Sequence, residues 1–365
     1  MIDNLLNVKY DIKSAIERRG VNPTGGMTTY ADSIDRIQIH NNNNGVLLEY
    51  SFGSSYRAYA DIKLGHSIFV ENPKILFKYE NNNLLNYVFN NCKSLKQIQL
   101  FDISTVAYMN YAFNGCSALV MAPPFDTSNV IEMHGTFSGC TSLTTVPQFD
   151  TSNVTAMRDM FRDCISLTTV PQFDTSKVGL GDYAYNDMHR MFYNCSSLEY
   201  MPDFNTQYVD NISYMFSGCT LLREVGSFTG CHNMNYMFKD CVSLSIAPQC
   251  SLGNYVNGMF SGCTSLTTVP LMDASSVKEM VGMFNTCTNL EDIRGFIGLG
   301  SNLSSSGVNM FLGCKKIARS SVINIFENLE SVSNKYICFE QEVLNRLSDE
   351  DITIATDKGW YVNSY

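Results

Sequence analysis

Thirteen cysteines, five histidines and a recurring aspartate are the residues of this 365-residue chain whose chemistry could be more than structural. Ten of the cysteines close a Phe-x-x-Cys anchor, first at Phe89/Cys92 and last at Phe311/Cys314, with Phe113, Phe137, Phe161, Phe192, Phe216, Phe238, Phe260 and Phe284 between them. A thiol at one phase of a repeat belongs to a ladder of small buried side chains, a role that free cysteine often fills. Equivalent positions on adjacent rungs lie close enough that distance alone leaves a disulfide open, but such side chains project in parallel rather than toward each other. Cys231, Cys250 and Cys338 break the phase. None of them makes a CxxC pair or has a histidine at finger-type spacing, so no metal site and no cofactor are expected. His40, His66, His134, His189 and His232 read as scattered, with no shared repeat phase and no catalytic dyad with a phased cysteine. Asp126, Asp150 and Asp174 do recur at one phase beside Thr and Ser. They could form a carboxylate ladder for Ca²⁺; capping of Asp-Thr-Ser turns is the favoured reading. Phosphate loops, nucleophile elbows and paired zinc ligands are missing from the sequence, and no enzymatic activity is expected.

The elements that position these residues follow from the period. Successive anchor phenylalanines are 24, 24, 24, 31, 24, 22, 22, 24 and 27 residues apart. A fixed period in the twenties, with apolar residues at constant phase, is the signature of a solenoid whose units are too small to fold alone and so stack. In Ser142-Leu143-Thr144-Thr145-Val146-Pro147, a short strand would bury Leu143 and Val146 and leave Thr144 and Thr145 in solvent. The following FDTSNV segment turns, with Phe149 and Val154 returning inward. Met157 and Met160 lead into the next anchor. Strand spacing predicts an advance of about 4.8 Å per rung. The fold class is thus a leucine-rich-repeat-like solenoid of about ten repeats, flanked by a small helical N-terminal module and an α/β C-terminal cap.

Residues 1–40 carry Leu5, Val8, Ile12 and Ile16 at helical spacing, and Tyr30, Ile34 and Ile37 on a second short helix. This pair reads as an attachment module that packs on a partner or on copies of itself. The run Asn41–Asn44 before Gly45 reads as a domain boundary. Residues 41–85 form a linker and β cap (VLLEYSF, SIFV, ILFKY), residues 86–318 the repeats, and residues 319–365 the C-terminal cap. Within that cap, Val322, Phe326 and Leu329 predict a helix over 319–331. Tyr336–Phe339 predicts a strand, Ser348 a helix N-cap, and Trp360 a final strand, with the acidic residues solvated.

The formal net charge of −10 and the absence of a basic cluster argue against nucleic acid as a partner. No apolar run approaches the roughly 20 residues needed to cross a bilayer, and MIDNLLNVKYDIK lacks the features of a secretory signal.

The unit MFSGCTSLTTVPQFDTSNV resembles the BspA-type leucine-rich repeats of bacterial surface proteins, including a subgroup first noted in mycoplasma lipoproteins; residues 134–178 carry the resemblance most closely. It implies adhesion to host or matrix surfaces without assigning binding residues. DIKSAIERRGVN followed by TTYADSIDRIQ is similar to N-terminal modules of bacteriophage tail and fibre proteins, and LSDEDITIATDKGWYV resembles the closing segment of repeat proteins of Bacteroides and their phages. Together these imply a virion protein, made in the host cytoplasm and exposed on the particle, attached to other virion proteins through residues 1–40. Its repeats would bind host-cell glycan or protein. A structural cement of the virion and a BspA-type cell-surface adhesin are the alternatives.

Candidate binding residues lie where rungs differ or where pairs are exposed. The 31-residue spacing holds an insertion with Asp182, Tyr183, Tyr185 and Asp187, and a second, serine-rich insertion covers 300–309. Tyrosine offers rigid area with a polar tip. On the strand face the candidates are Thr144, Thr145, Thr168, Thr169 and Tyr200.

Overall fold

A computed structural model describes the backbone of residues 37–42 and 45–50, and residues 85–365 except 94, 99, 101, 182–187, 229 and 305–308. The two helices expected over 1–40 fall outside these residues, except that Ile37, assigned to the second helix, lies in a strand. Strand β1 (Ile37–Asn42) pairs antiparallel with β2 (Gly45–Tyr50), Ile37 opposite Tyr50 and Asn42 opposite Gly45. The alternation Ile37-Gln38-Ile39-His40 has the period of a strand. Asn41 and Asn42 therefore lie in a strand paired with β2, opposite Val46 and Gly45. The segments SIFV and ILFKY lie outside the described residues.

From Leu85 onward the chain is a ladder. Met109, Tyr111, Phe113 and Gly115 donate their N–H groups to the carbonyls of Glu132, His134, Thr136 and Ser138 one rung on, at 2.6–2.9 Å. The intervening Ala112, Asn114 and Cys116 donate back to Met109, Tyr111 and Phe113. Alternate N–H groups thus hold neighbouring rungs and close tight turns within a rung, which satisfies backbone that no regular strand or helix accommodates. The turns need a positive φ two residues before and two after each anchor phenylalanine, as at Tyr111 (56°) and Gly115 (72°), or Asp159 (55°) and Asp163 (59°). At the first of these positions Gly135 also makes room: a Cβ there would sit 2.4 Å from Cε1 of Tyr111, whose ring lies across it.

Inside, the anchor rings form one continuous stack from Phe89 to Phe311, extended by Phe339, with adjacent centroids 5.0–5.8 Å apart. The step exceeds the 4.8 Å expected from strand spacing because offset aromatic faces set the distance on this side. A second column, Phe125, Phe149, Phe173 and Phe204, packs against the first. Leu143 and Val146 are buried and Thr144 and Thr145 exposed, as the alternation requires. Among the described residues of the array, regular strand nonetheless forms only near the C-terminal end, where β3 (Thr268–Val269) pairs with β5 (Asp292–Ile293) and β4 (Met272–Asp273) with β6 (Phe296–Ile297). Elsewhere the same columns meet as single bridges such as Met121 to Thr145.

The C-terminal cap consists of α1 (Arg319–Asn328), β7 (Lys335–Phe339), α2 (Gln341–Leu344), α3 (Asp349–Thr356) and β8 (Trp360–Ser364), with β7 and β8 parallel. It supplies partners for ladder donors that have no further rung. Phe311 N–H donates to the Tyr365 hydroxyl at 2.9 Å, and Gly313 N–H to Glu340 Oε1 at 2.6 Å. Ser321 accepts from Ile293 N–H and donates to the Glu291 carbonyl. Ser348 caps α3 in a capping box with Asp351. Helix α1 ends three residues before the predicted limit, and Asp351 is a correction to the solvated tail: it is buried and bridged twice by Arg319 at 2.7 Å.

Candidate functional site

The phased thiols are part of the frame. From Cys116 onward each donates to the carbonyl of the anchor phenylalanine one rung back, Cys116 to Phe89 at 3.0 Å and Cys164 to Phe137 at 3.1 Å, with the same contact up to Cys314 and Phe284. All thirteen cysteines are free and all but Cys338 are buried. Burial pushes the Cys140 thiol up to about 12 and those of Cys164, Cys195 and Cys241 well above the usual range. They are protonated at neutral pH and poor nucleophiles. Cys250 stands one rung after Phe228 in the second aromatic column, to which it is bridged. Among the described residues no group of three His, Cys, Asp or Glu is placed to hold a metal ion.

The aspartates that recur in the turns are caps. Asp126 and Asp150 each accept from the N–H and the hydroxyl of the serine two residues on, at 2.6–3.1 Å. The hydrogen bonds from Ser152 hold the Asp150 carboxyl below the ordinary range. The rest of the motif binds forward and backward: Thr127 and Thr151 donate to the Asp150 and Asp174 carbonyls at 2.9 Å, and Asn129 and Asn153 to those of Ser104 and Ser128 at 2.7 Å. In the serine-rich insertion Asn302 makes the same bond to Ser275, and Ser304 anchors on Lys278, so the start of that loop is docked rather than free. Between Gln148-to-Ser152 and Gln172-to-Ser176 lies an open depression of 560 Å³.

Two surfaces remain exposed and varied. The first is the strand column, where Thr144, Thr145, Thr168 and Thr169 form an exposed carpet. Tyr200 (52% exposed), Met121 (58%) and Ile246 (60%) project from the same column on other rungs. Rung-to-rung bonds there are fewer, such as Thr168 N–H to the Thr144 carbonyl at 3.2 Å. Asp182, Tyr183, Tyr185 and Asp187 lie outside the described residues, so their geometry adds nothing.

The second surface, missed by the sequence reading, is the turn block of the fourth and fifth rungs. Most rungs carry Asn, Ser, Gly or Tyr around the anchor; these two carry Arg158, Asp159, Arg162 and Asp163, then His189, Arg190, Tyr193 and Asn194. His134 and His189 do share a phase, each three residues before its phenylalanine and on either side of Arg158. The long 31-residue step between Phe161 and Phe192 hides this unless phase is counted back from each anchor. Burial pulls His134 below the usual range and takes His189 to about 4, with Arg190 adding to the effect. His189 Nδ1 lies 2.7 Å from the Ser213 hydroxyl. Asp159 is 8% exposed; its Oδ2 is 3.4 Å from Arg158 Nε, and its Oδ1 lacks a hydrogen-bond partner. Burial raises its carboxyl despite three neighbouring arginines. Asp163 is better served, by Arg162 Nε at 3.2 Å and Asn194 Nδ2 at 2.9 Å. Arg162 lies over the Tyr193 ring and Arg190 over that of Tyr214, 5.6 and 5.7 Å from the centroids.

Comparison with known proteins agrees with the repeat reading. Residues 83–186 and 172–248 match the family described as Mycoplasma protein of unknown function, DUF285. Residues 234–345 match the BspA type leucine rich repeat region. Over residues 234–345 the chain is thus similar to leucine-rich repeats of the BspA type. A search of curated proteins finds no match. Among solved structures, the leucine rich repeat protein of T. pallidum is 18% identical, with 78% of this chain and 88% of that one covered and a TM-score of 0.24.

Proposed function

We propose that this chain is a non-enzymatic adhesive scaffold, displayed on a virion through residues 1–40, whose repeats bind host-cell surface glycan or protein. The observation that carries the adhesive part is the division of labour within each rung. Phe, Cys, Met and the Asp-Thr-Ser turn residues are occupied in holding rungs together, while the strand column spends little on the frame and differs from rung to rung. Leucine-rich repeats of the BspA type support an interaction role. The virion part is supported by the resemblance of DIKSAIERRGVN to phage tail and fibre modules. The repeat match supports a bacterial cell-surface adhesin equally well, and that reading stays beside the first.

Binding of the purified, fluorescently labelled chain to intact bacterial cells tests adhesion: saturable binding supports it, and none at any concentration removes it. Deletion of residues 1–36, which spares the β1–β2 hairpin, tests attachment. The shortened chain should fold and melt cooperatively but fail to enter particles; normal incorporation would move attachment into the repeats or the cap.

A further inference from the structure

Arg190 differs from its neighbours in what it is free to do. Arg158 and Arg162 both approach Asp159, and Arg162 also binds Asp163. Arg190 has no carboxylate within 4.0 Å among the described residues, although it is held in place. Its backbone is fixed by the rung, with φ at 54° and its N–H bonded to the Ser213 carbonyl at 3.1 Å. Its guanidinium rests on Tyr214, which is backed in turn by Tyr236 at 4.9 Å. A pre-placed planar fork loses little freedom on binding a bidentate oxyanion. The ring of Tyr193 meets that of Tyr214 edge-on at 6.4 Å, so the guanidiniums over those two rings share one patch. Three arginines against Asp159 and Asp163 leave the patch positive in a chain of net charge −10.

We infer that the turn block of the fourth and fifth rungs, centred on Arg190, is the recognition point for an oxyanion carried by an acidic polysaccharide. This rests on the adhesive reading and names its ligand class. The tyrosine faces are covered by arginines and by one another, so recognition here is ionic and hydrogen-bonded rather than by stacking. Rungs advance by 5.0–5.8 Å at the aromatic stack, close to the length of one sugar unit along an extended polysaccharide. A chain lying along the array would therefore set one sugar on each rung. Its anionic group would face Arg190 and Arg162, and its hydroxyls would meet the half-buried Asn114 and Ser138 on one side and Asn194 on the other. An acidic peptide offers the charge without the hydroxyls.

The test is affinity electrophoresis of the full chain through gels containing a polyuronate, a sulfated dextran, plain dextran or polyglutamate, with the Arg190→Gln and Arg162→Gln variants. Arg223→Gln, on the strand face, serves as control. The expected result is retardation by the polyuronate or the sulfated dextran and not by plain dextran, weakened at least 5-fold by Arg190→Gln and less by Arg162→Gln. Arg223→Gln should behave as the wild type, and the melting temperatures of Arg190→Gln and Arg223→Gln should be unchanged. Whichever of the two acidic polymers retards more identifies carboxylate or sulfate as the source of the charge. Equal retardation of wild type and Arg190→Gln overturns the inference, as does stronger retention by polyglutamate than by either acidic polysaccharide. A chain that binds cells but neither acidic polysaccharide overturns it while leaving adhesion standing.

Discussion

The turn block and the strand column of the same rung are built to opposite ends. Around Phe161 the chain closes two turns with positive-φ residues, donates alternate N–H groups forward, and buries Met160, Phe161 and Cys164 completely. Seven residues later Thr168 and Thr169 are exposed, and their hydroxyl contacts are long, Thr168 Oγ1 to the Thr144 carbonyl at 3.3 Å. The frame is concentrated on one side, which leaves the other free to vary. The fourth and fifth rungs break that division, because their frame side carries arginines, a histidine and a buried carboxylate.

The comparison is tested most severely at the stack. Phe161→Ala removes a ring that touches Phe137, Phe173 and Phe192 and opens a cavity in the middle of the array, so it should cost ~3–5 kcal/mol in urea unfolding. A loss below about 1 kcal/mol would mean that neighbouring rungs close over the gap and that the stack is not what couples them.

Protonation probes the charged rungs. A histidine buried in neutral form binds fewer protons folded than unfolded, so stability is full above the unfolded value of about 6.5 and falls with pH toward the folded value. For His189 that value is about 4. Discounted for its partial exposure, the loss is on the order of 1–2 kcal/mol across that window. His134 acts in the same direction. Asp159, whose carboxyl is raised, acts oppositely and regains stability as it protonates at the acid end. His189→Asn should therefore flatten the decline between about pH 6.5 and 4 in denaturant midpoints. An unchanged slope would place the acid sensitivity elsewhere.

The thiols and the cap should give intermediate effects. Cys164→Ser keeps a donor toward the Phe137 carbonyl but puts a shorter, more polar group into a fully buried site, at a cost of ~1–2 kcal/mol. Thiol titration in denaturant without reductant should recover all thirteen cysteines; recovery of three or fewer would refute the ladder. Tyr365→Phe leaves the Phe311 N–H without its acceptor and should cost ~1–2 kcal/mol, seen first as faster hydrogen exchange in the last rungs.

What the sequence made legible follows from how local each signal is. The Phe-x-x-Cys period and the Ser348 cap announce themselves because one residue type recurs or one short motif suffices. Ile37 was misplaced because Tyr30, Ile34 and Ile37 fit a helical period while Ile37 and Ile39 also fit a strand, and only pairing with β2 decides. The charged turn block stayed hidden because His134, Arg158 and His189 are adjacent only after the 31-residue step is folded away. That Asp159 and Arg190 occupy the positive-φ position held by Gly135 and Gly258 in other rungs has no signature in residue type at all.

The smallest expected effect falls on the strand column, where it is most informative. Thr144→Ala with Thr168→Ala deletes two exposed hydroxyls whose carbonyl contacts are 3.4 and 3.3 Å long, at the weak end of hydrogen bonding. Backbone pairing through the Thr144 carbonyl and Thr168 N–H is untouched, so unfolding should shift by less than about 0.5 kcal/mol. If the strand column contributes to adhesion, the double variant should bind cells more weakly at unchanged stability, as should Tyr200→Ala. A destabilisation above about 1 kcal/mol would instead show that the threonine hydroxyls belong to the frame. The division between the two sides of the rung would then fail on the side where it is drawn most clearly.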